Sequence, residues 1–235
     1  MRKILHPSTS RGHADHGWLK SFHTFSFANY QNFERMNFGM LRVLNDDIVQ
    51  PMMGFGTHPH KNMEIISIPI SGALSHKDSM GNQRSIEVGE VQVMTAGTGL
   101  THSEFNDSKT DAVHFLQIWI FPEVENCIPS YDQKVFSESD RKNKFQFLVS
   151  PASQQIEGSL PIQQQAYISR IDLDEGLEIS YELKNGAYFF LLEGALSIED
   201  ETLGRRDAIG ISETDTAMLK ATKKSSLLII DVPMV

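Results

Sequence analysis

Two short segments carry side chains whose types and spacing suit a metal ion. The first, Gly54-Phe55-Gly56-Thr57-His58-Pro59-His60, sets two imidazoles two residues apart. In an extended chain alternate side chains share a face, so His58 and His60 project together. The second, Gly97-Thr98-Gly99-Leu100-Thr101-His102-Ser103-Glu104, repeats the spacing with an imidazole and a carboxylate. Two such pairs on two strands of one barrel can converge across its interior. Three neutral nitrogens and one carboxylate oxygen suit a divalent transition metal of borderline softness. Fe2+ is the expected ion, and Mn2+, Co2+, Ni2+, Cu2+ and Zn2+ are compatible with the same donors. Spacing leaves the carboxylate open. Glu64 joins His58 and His60 if their strand runs on, and Glu104 shares a face with His102.

The elements that must hold these segments read as β-strands. Short apolar runs are separated by glycine or polar turns: Met63–Ile70, Ala73–His76, Ile86–Val88, Val91–Met94, Ala112–Phe121, and later Lys144–Val149, Ala166–Ile171, Leu177–Leu183, Ala187–Leu192, Ala208–Ile211 and Ser226–Val232. This pattern predicts an all-β sandwich or barrel without long helices. Ser71-Gly72 and Gly89-Glu90 read as hairpin turns. Ala112–Phe121 is apolar on both faces except at His114 and Gln117, as in a strand inside a barrel.

The chain repeats itself. Gly72-Ala73-Leu74-Ser75 followed by Asp78 recurs 122 residues later as Gly194-Ala195-Leu196-Ser197 followed by Asp200, each copy after a strand. Two tandem barrels are expected, one over residues 1–125 and one over 126–235, joined near the polar, loop-like stretch Pro122–Lys142. All nine histidines lie at or before His114, and Ser180 and Glu182 stand where the repeat would put His58 and His60. The metal is therefore expected in the first barrel only.

The 235 residues suffice for a core without a disulfide or metal staple, so a metal would serve chemistry. A net charge of −9 disfavours nucleic acid as a partner. The single cysteine, Cys127, cannot pair within the chain, which points to a reducing compartment. No apolar run approaches the roughly 20 residues of a membrane span. A cytoplasmic monomer with no membrane partner is expected.

Other residues have structural readings. His13, His16 and His23 do not converge in a helix or a strand and are expected to form hydrogen bonds near Trp18 at the barrel mouth. His76 and His114 read as satisfied barrel histidines, and Asp46-Asp47 as a turn cap. The aromatic set Phe22, Phe25, Phe27, Phe33, Phe38 and Phe55 reads mainly as core, with Phe55 a candidate pocket wall. Dinucleotide fingerprints and a Gly-x-Ser-x-Gly elbow are absent.

Gly54 through Gly72 resembles the first cupin motif, and Gly89 through Asn106 the second. The departures from the general pattern are Thr95 in place of a proline, two extra residues before His102, and the carboxylate Glu104. These departures resemble the pirin family. So do Arg11-Gly12-His13, His16-Gly17-Trp18-Leu19, Ser21-Phe22-His23-Thr24-Phe25-Ser26-Phe27-Ala28-Asn29-Tyr30 and Leu41-Arg42-Val43-Leu44-Asn45-Asp46-Asp47. The specific match spans the first half. The second half resembles the family in being compatible with a metal-free second cupin barrel.

The resemblance implies an all-β bicupin, two tandem jelly-roll-type barrels, with the metal on His58, His60, His102 and Glu104. It selects Glu104 over Glu64, which is left as a partner of the ligands or an occasional ligand. It also implies a dioxygenase that takes a small aromatic substrate and O2, cleaving a flavonol such as quercetin with release of carbon monoxide, with Glu104 as catalytic base. An alternative implied by the same family is a metal-dependent, redox-responsive protein that binds another protein without turnover. A third reading, isomerisation of a sugar or keto acid, predicts activity without O2.

Overall fold

The computed structural model describes residues 1–234. Strands of the first half are β1 (Arg2–His6), β2 (Gly12–Asp15), β3 (Leu19–His23), β4 (Leu41–Val49), β5 (Gly54–His60) and β6 (Glu64–Ser71). β7 (Ala73–Asp78), β8 (Gln83–Glu87), β9 (Glu90–Thr95), β10 (Leu100–Phe105), β11 (Val113–Ile120) and β12 (Ser130–Val135) follow. The second half holds β13 (Gln146–Pro151), β14 (Leu160–Ile162), β15 (Tyr167–Leu173), β16 (Glu178–Glu182) and β17 (Gly186–Glu193). It closes with β18 (Leu196–Ile198), β19 (Glu201–Leu203), β20 (Ala208–Ser212), β21 (Thr216–Ala221) and β22 (Ser225–Val232). Helical structure among the described residues is limited to three 3-10 turns.

Four sheets form two barrels of the same design. The first barrel joins a seven-stranded sheet, β12-β9-β6-β11-β4-β3-β2, to a four-stranded sheet, β5-β10-β7-β8. The second joins β1-β20-β17-β22-β15-β13-β14 to β16-β21-β18-β19. The repeat seen in sequence is thus a repeat of topology. β6 and β17 lie at the same place in their sheets, as do β7 and β18.

The hairpin readings are corrected. β6 pairs with β9 and β11, while β7 pairs with β8 and β10, so Ser71-Gly72 turns the chain from one sheet into the other. The turn at Gly89 likewise carries the chain from β8 to β9, in different sheets. A sharp corner and a hairpin turn both call for glycine, and local residues do not tell them apart. Gly72 and its repeat counterpart Gly194 have φ of 73° and 96°, open to glycine at little cost.

The halves also exchange edge strands. β1 pairs with β20 of the second barrel, and β12 pairs with β9 of the first. A division at residue 125 therefore leaves Arg2–His6 in the second barrel's sheet and Ser130–Val135 in the first barrel's. Each exchanged strand covers an edge that would otherwise expose unpaired backbone groups.

The two seven-stranded sheets share a core. Leu44, Ile66, Leu116, Ile118 and Ile120 pack in one cluster with Ile168, Phe190, Leu228 and Ile230. This explains why β11 is apolar on both faces. Its Leu116, Ile118 and Ile120 face the shared core, while Val113 and Phe115 pack with Leu19, Val49, Leu74 and Ile86 inside the first barrel. Gln117, in step with Val113 and Phe115, must face the barrel interior too. Burial of each large side chain here contributes about 1.5–3 kcal/mol.

Candidate metal centre

β5 and β10 are adjacent and antiparallel, with His102 opposite His58 and Leu100 opposite His60. A register shift between His102 and Glu104 brings Glu104 opposite Phe55. Along β10 the buried residues are Leu100, His102 and Glu104, so the imidazole and the carboxylate share the inner face as their spacing requires. His58, His60 and His102 offer ligating nitrogens that all lie within 4.8 Å of one another. Their ring centroids form a near-equilateral triangle of 4.4, 4.8 and 4.9 Å.

The protonation chemistry of the triad favours a cation. His58 is held by the Gly56 carbonyl, 2.8 Å from its Nδ1. That bond places the proton on Nδ1 and leaves Nε2 as the lone-pair donor. His60 Nε2 and both ring nitrogens of His102 are buried without a hydrogen-bond partner. Burial lowers the His60 pKa to about 4, with His58 adding to the effect. Burial, then the neighbouring His58, His60 and His76, lowers that of His102 to about 2. Neutral His60 and His102, with orphaned nitrogens clustered beside His58, fit a bound divalent metal, whose charge would satisfy them.

Around the triad, Trp119 packs edge-on to His60 at 4.9 Å. His76 lies 5.5 Å from the His102 ring and bonds Asp78 through Nε2 at 3.1 Å. Asp78 in turn accepts from the Met80 and Asn82 backbone N–H groups. His76 is only half satisfied, because its Nδ1 is buried without a partner; His114 is a satisfied barrel histidine, as expected, its Nε2 donating to Asp46.

The two carboxylate candidates separate clearly. β5 ends at His60, Asn62 turns with φ 49°, and Glu64 opens β6 in the other sheet. Glu64 accepts a 2.6 Å hydrogen bond from the Thr95 hydroxyl, and burial raises its pKa to about 7. Glu104 is buried beside the triad and lines the same cavity as His58. Neither carboxylate enters the 4.8 Å cluster of nitrogens. The Glu104 oxygens are engaged by the Gln117 side-chain amide at 3.0 and 3.1 Å, with the Ser67 hydroxyl at 3.3 Å. Burial raises the Glu104 pKa, and the Gln117 hydrogen bond, the nearby His58 and the Ser67 hydrogen bond offset part of that rise.

A cavity of about 540 Å3 opens over His58 and Glu104. Trp18, Phe27, Tyr30, Phe55 and Trp119 give it aromatic walls. Phe55 is thus a pocket wall, as expected, standing edge-on to Trp18 at 5.3 Å. His13, His16 and His23 also line the cavity and do not join the metal cluster. His13 stacks on Phe22, and His23 stands edge-on to Phe27.

Asp46-Asp47 is a correction. The pair lies in the middle of β4, not at a turn. Alternation sends Asp47 into the cavity and Asp46 to the opposite face. Burial raises the Asp47 pKa to about 7, opposed by a Ser21 hydrogen bond and supported by the charges of Glu104 and Asp46. Asn45 and Asp47 each keep an Oδ1 without a partner, as does His23 its Nδ1, and all three residues line the cavity. The sequence reading missed Asn45 and Asp47. Their signal was a polar pair at alternate positions, in step with Val43 and Val49, within Leu41–Val49.

The second barrel contains no such site among the described residues. Ser67 pairs with Gln117 in the first barrel; at the repeat position Phe189 pairs with Ile229. His76 pairs with Glu104; its counterpart Ile198 pairs with Leu219. Those four side chains belong to one apolar cluster that fills the second interior.

Comparison with known proteins agrees with this architecture. The Pirin family model matches residues 5–120, and a model described as the quercetinase C-terminal cupin domain matches residues 147–232. Quercetin 2,3-dioxygenase from Escherichia coli (strain K12) is 39% identical over 98% of this chain and 99% of its own length. A pirin-like protein from Caulobacter vibrioides is 37% identical over 96% of this chain and 97% of its own. The crystal structure of YhhW from Escherichia coli superposes with a TM-score of 0.94 at 37% identity, covering 100% of this chain and 99% of that one. The structure of the bacterial pirin YhhW in complex with nickel(II) gives 0.93 at 37% identity, with full coverage of both chains.

Proposed function

The chain belongs to the pirin family, and from that membership and its cavity we propose that it is a metal-dependent dioxygenase that cleaves a flavonol such as quercetin with O2. The observation that carries the reading is that His58, one of the three clustered histidines, and Glu104 line one aromatic-walled cavity. Its volume of about 540 Å3 falls within the roughly 300–1,000 Å3 that holds drug-sized ligands. The nickel complex of the related YhhW and the relatives called quercetin 2,3-dioxygenase support it.

His58, His60 and His102 would hold the ion, with Glu104 as fourth ligand. Fe2+ is the proposed metal. A divalent cation there supplies Lewis acidity, lowering the pKa of the flavonol 3-hydroxyl and orienting substrate beside O2. Glu104 takes the 3-hydroxyl proton. Its carboxylate is held by Gln117 and Ser67, so it meets the substrate already oriented. Phe27 and Trp119, packed edge-on at 5.4 Å, form one apolar wall against which a flat ring can lie. Asn45, Asp47 and His23 offer unpaired polar atoms to hydroxyls on the substrate. The aromatic walls exclude bulk water from the reacting ring. Oxygen adds across the central ring, which opens to a depside with loss of carbon monoxide.

The test loads the protein with Fe2+ anaerobically, adds quercetin, and admits O2. O2 uptake matched by loss of quercetin absorbance and by carbon monoxide is expected. If metal-loaded protein neither consumes O2 nor bleaches quercetin, and Glu104→Ala behaves as the parent does, the reading fails.

A further inference from the structure

On the face of β4 opposite the metal cavity lies a second cavity, of about 320 Å3, where the two barrels meet. Arg11, Arg205, Arg206 and His114 line it, together with Phe22 and a single acidic residue, Asp46. Arg206 reaches in from the turn between β19 and β20 of the second barrel; Arg11 precedes β2 of the first.

The Arg206 side chain is 4% exposed. Both of its terminal nitrogens, NH1 and NH2, are buried without a hydrogen-bond partner. Its nearest carboxylate oxygens lie at 3.6 Å (Asp46) and 3.8 Å (Glu193), beyond hydrogen-bond reach. The backbone at Arg206 has φ 66°, the left-handed region that arginine seldom adopts, and its N–H is tied to the Leu191 carbonyl at 2.7 Å. A strained backbone that delivers a buried guanidinium with idle donors is characteristic of a binding site.

Asp46 does not use up the positive charge. Its carboxylate already accepts from Arg11 at 3.1 Å and from His114. Glu193 bonds Arg205 at 2.8 and 2.9 Å from outside the cavity. Asp207, also outside its lining, is occupied by the backbone N–H groups of Ser8 and Gly204. Three guanidinium groups thus face the cavity against one lining carboxylate. The Arg11 and Arg206 planes lie over the Phe190 ring at 5.7 and 5.9 Å, which leaves their edges for planar or tetrahedral oxygens.

We propose that this cleft between the barrels is an anion site for a small oxyanion, a phosphate or carboxylate group, gripped by Arg206 with Arg11 and Arg205. It is separate from the metal centre: adjacent residues of β4, Asp46 and Asp47, face the two cavities from opposite sides. An occupant would bridge Arg11 of the first half and Arg206 of the second, and so fasten the barrels together.

Titration calorimetry of the metal-loaded protein with inorganic phosphate, and in parallel with malonate, tests the site. One-to-one binding of either anion is expected. The tighter of the two identifies the ligand as phosphoryl or carboxylate. Arg206→Gln should weaken binding at least about tenfold, the size of one lost charged hydrogen bond. Arg205→Gln, at an exposed position that leaves the core untouched, should weaken it several-fold, so the proposal stays testable if Arg206→Gln does not fold. His58→Ala should bind as the parent does. Absence of binding for both anions up to about 10 mM overturns the site. So does binding unchanged in both arginine variants, and so does binding lost in His58→Ala, which would place the anion on the metal.

Discussion

The Gln117 side-chain amide lies 3.1 and 3.0 Å from the two carboxylate oxygens of Glu104, joining β11 of the large sheet to β10 of the small one. This bond holds a buried carboxylate beside the histidine triad. Gln117→Leu keeps the volume and removes the donor. Metal affinity or turnover should fall about 10–100-fold, as for other groups that orient metal ligands. Metal titration and O2 uptake on the same preparation check it, and an unchanged protein would show that Glu104 needs no orientation.

Metal loading should stabilise the fold. At a free concentration 100 times its Kd, Ni2+ or Fe2+ adds about 2.7 kcal/mol. For a chain of this size that raises Tm by roughly 5–10 °C. His102→Ala should abolish the rise, because His102 is the ligand whose ring nitrogens both lack any other partner. Thermal melts with and without added metal measure it.

Gly54 is required by close approach. A Cβ there would stand 2.3 Å from the Glu104 carbonyl oxygen and 2.6 Å from the Phe105 Cα. Gly54→Ala must therefore push β5 away from β10 and part His58 from His102. A loss of about 1–3 kcal/mol is expected by analogy with overpacking. Metal affinity should drop with it, seen by denaturant unfolding and metal titration together.

Asp47→Asn should separate stability from activity. Burial raises the Asp47 pKa to about 7 from an ordinary value of 3.8. The folded state then holds a proton that the unfolded state has released, so stability is fully present below pH 3.8 and declines as pH climbs toward 7. Asparagine removes that decline. The metal-free variant should be roughly 1–4 kcal/mol more stable than the parent at pH 7, while its quercetin turnover falls. Urea unfolding at pH 4 and pH 7 reads the difference; equal stability of variant and parent at both would refute it.

Asp46 behaves in the opposite sense. Burial alone would raise its pKa, but the His114 hydrogen bond and the charges of Arg206, His114 and Arg11 hold it at about 2. Its contribution is therefore present above the ordinary 3.8 and lost as pH falls through 2, amounting to roughly 2 kcal/mol. Unfolding free energies at pH 5, 3 and 2 should show that slope. In Asp46→Asn, which begins less stable because buried arginines lose their counter-charge, that part of the slope should vanish.

Much of this was legible in the chain. Alternation put His58 with His60 and His102 with Glu104 on shared faces, because a strand has a period of two whatever its neighbours do. The Gly-Ala-Leu-Ser repeat announced two barrels, and the absence of histidine after His114 confined the candidate metal site to the first. Local residues could not reveal where a strand's partners lie. Gly72 and Gly89 read as hairpins because a glycine permits a turn without saying which sheet the next strand joins. β1 and β12 crossed between barrels because edge pairing is decided by which edge is left open. Asp46-Asp47 read as a turn because partners such as His114 and Arg206 for Asp46 and Glu104 for Asp47 lie 57 to 160 residues away. The sequence by itself determined the candidate metal-ligating pairs and the all-β repeat, since both follow from periodicity along one strand. Only the tertiary structure decided that Glu64 starts a strand in the other sheet, that Gln117 holds Glu104, and that Arg206 is buried with idle donors. Each of these depends on contacts between segments far apart in the chain, and such contacts exist only once the sheets have packed.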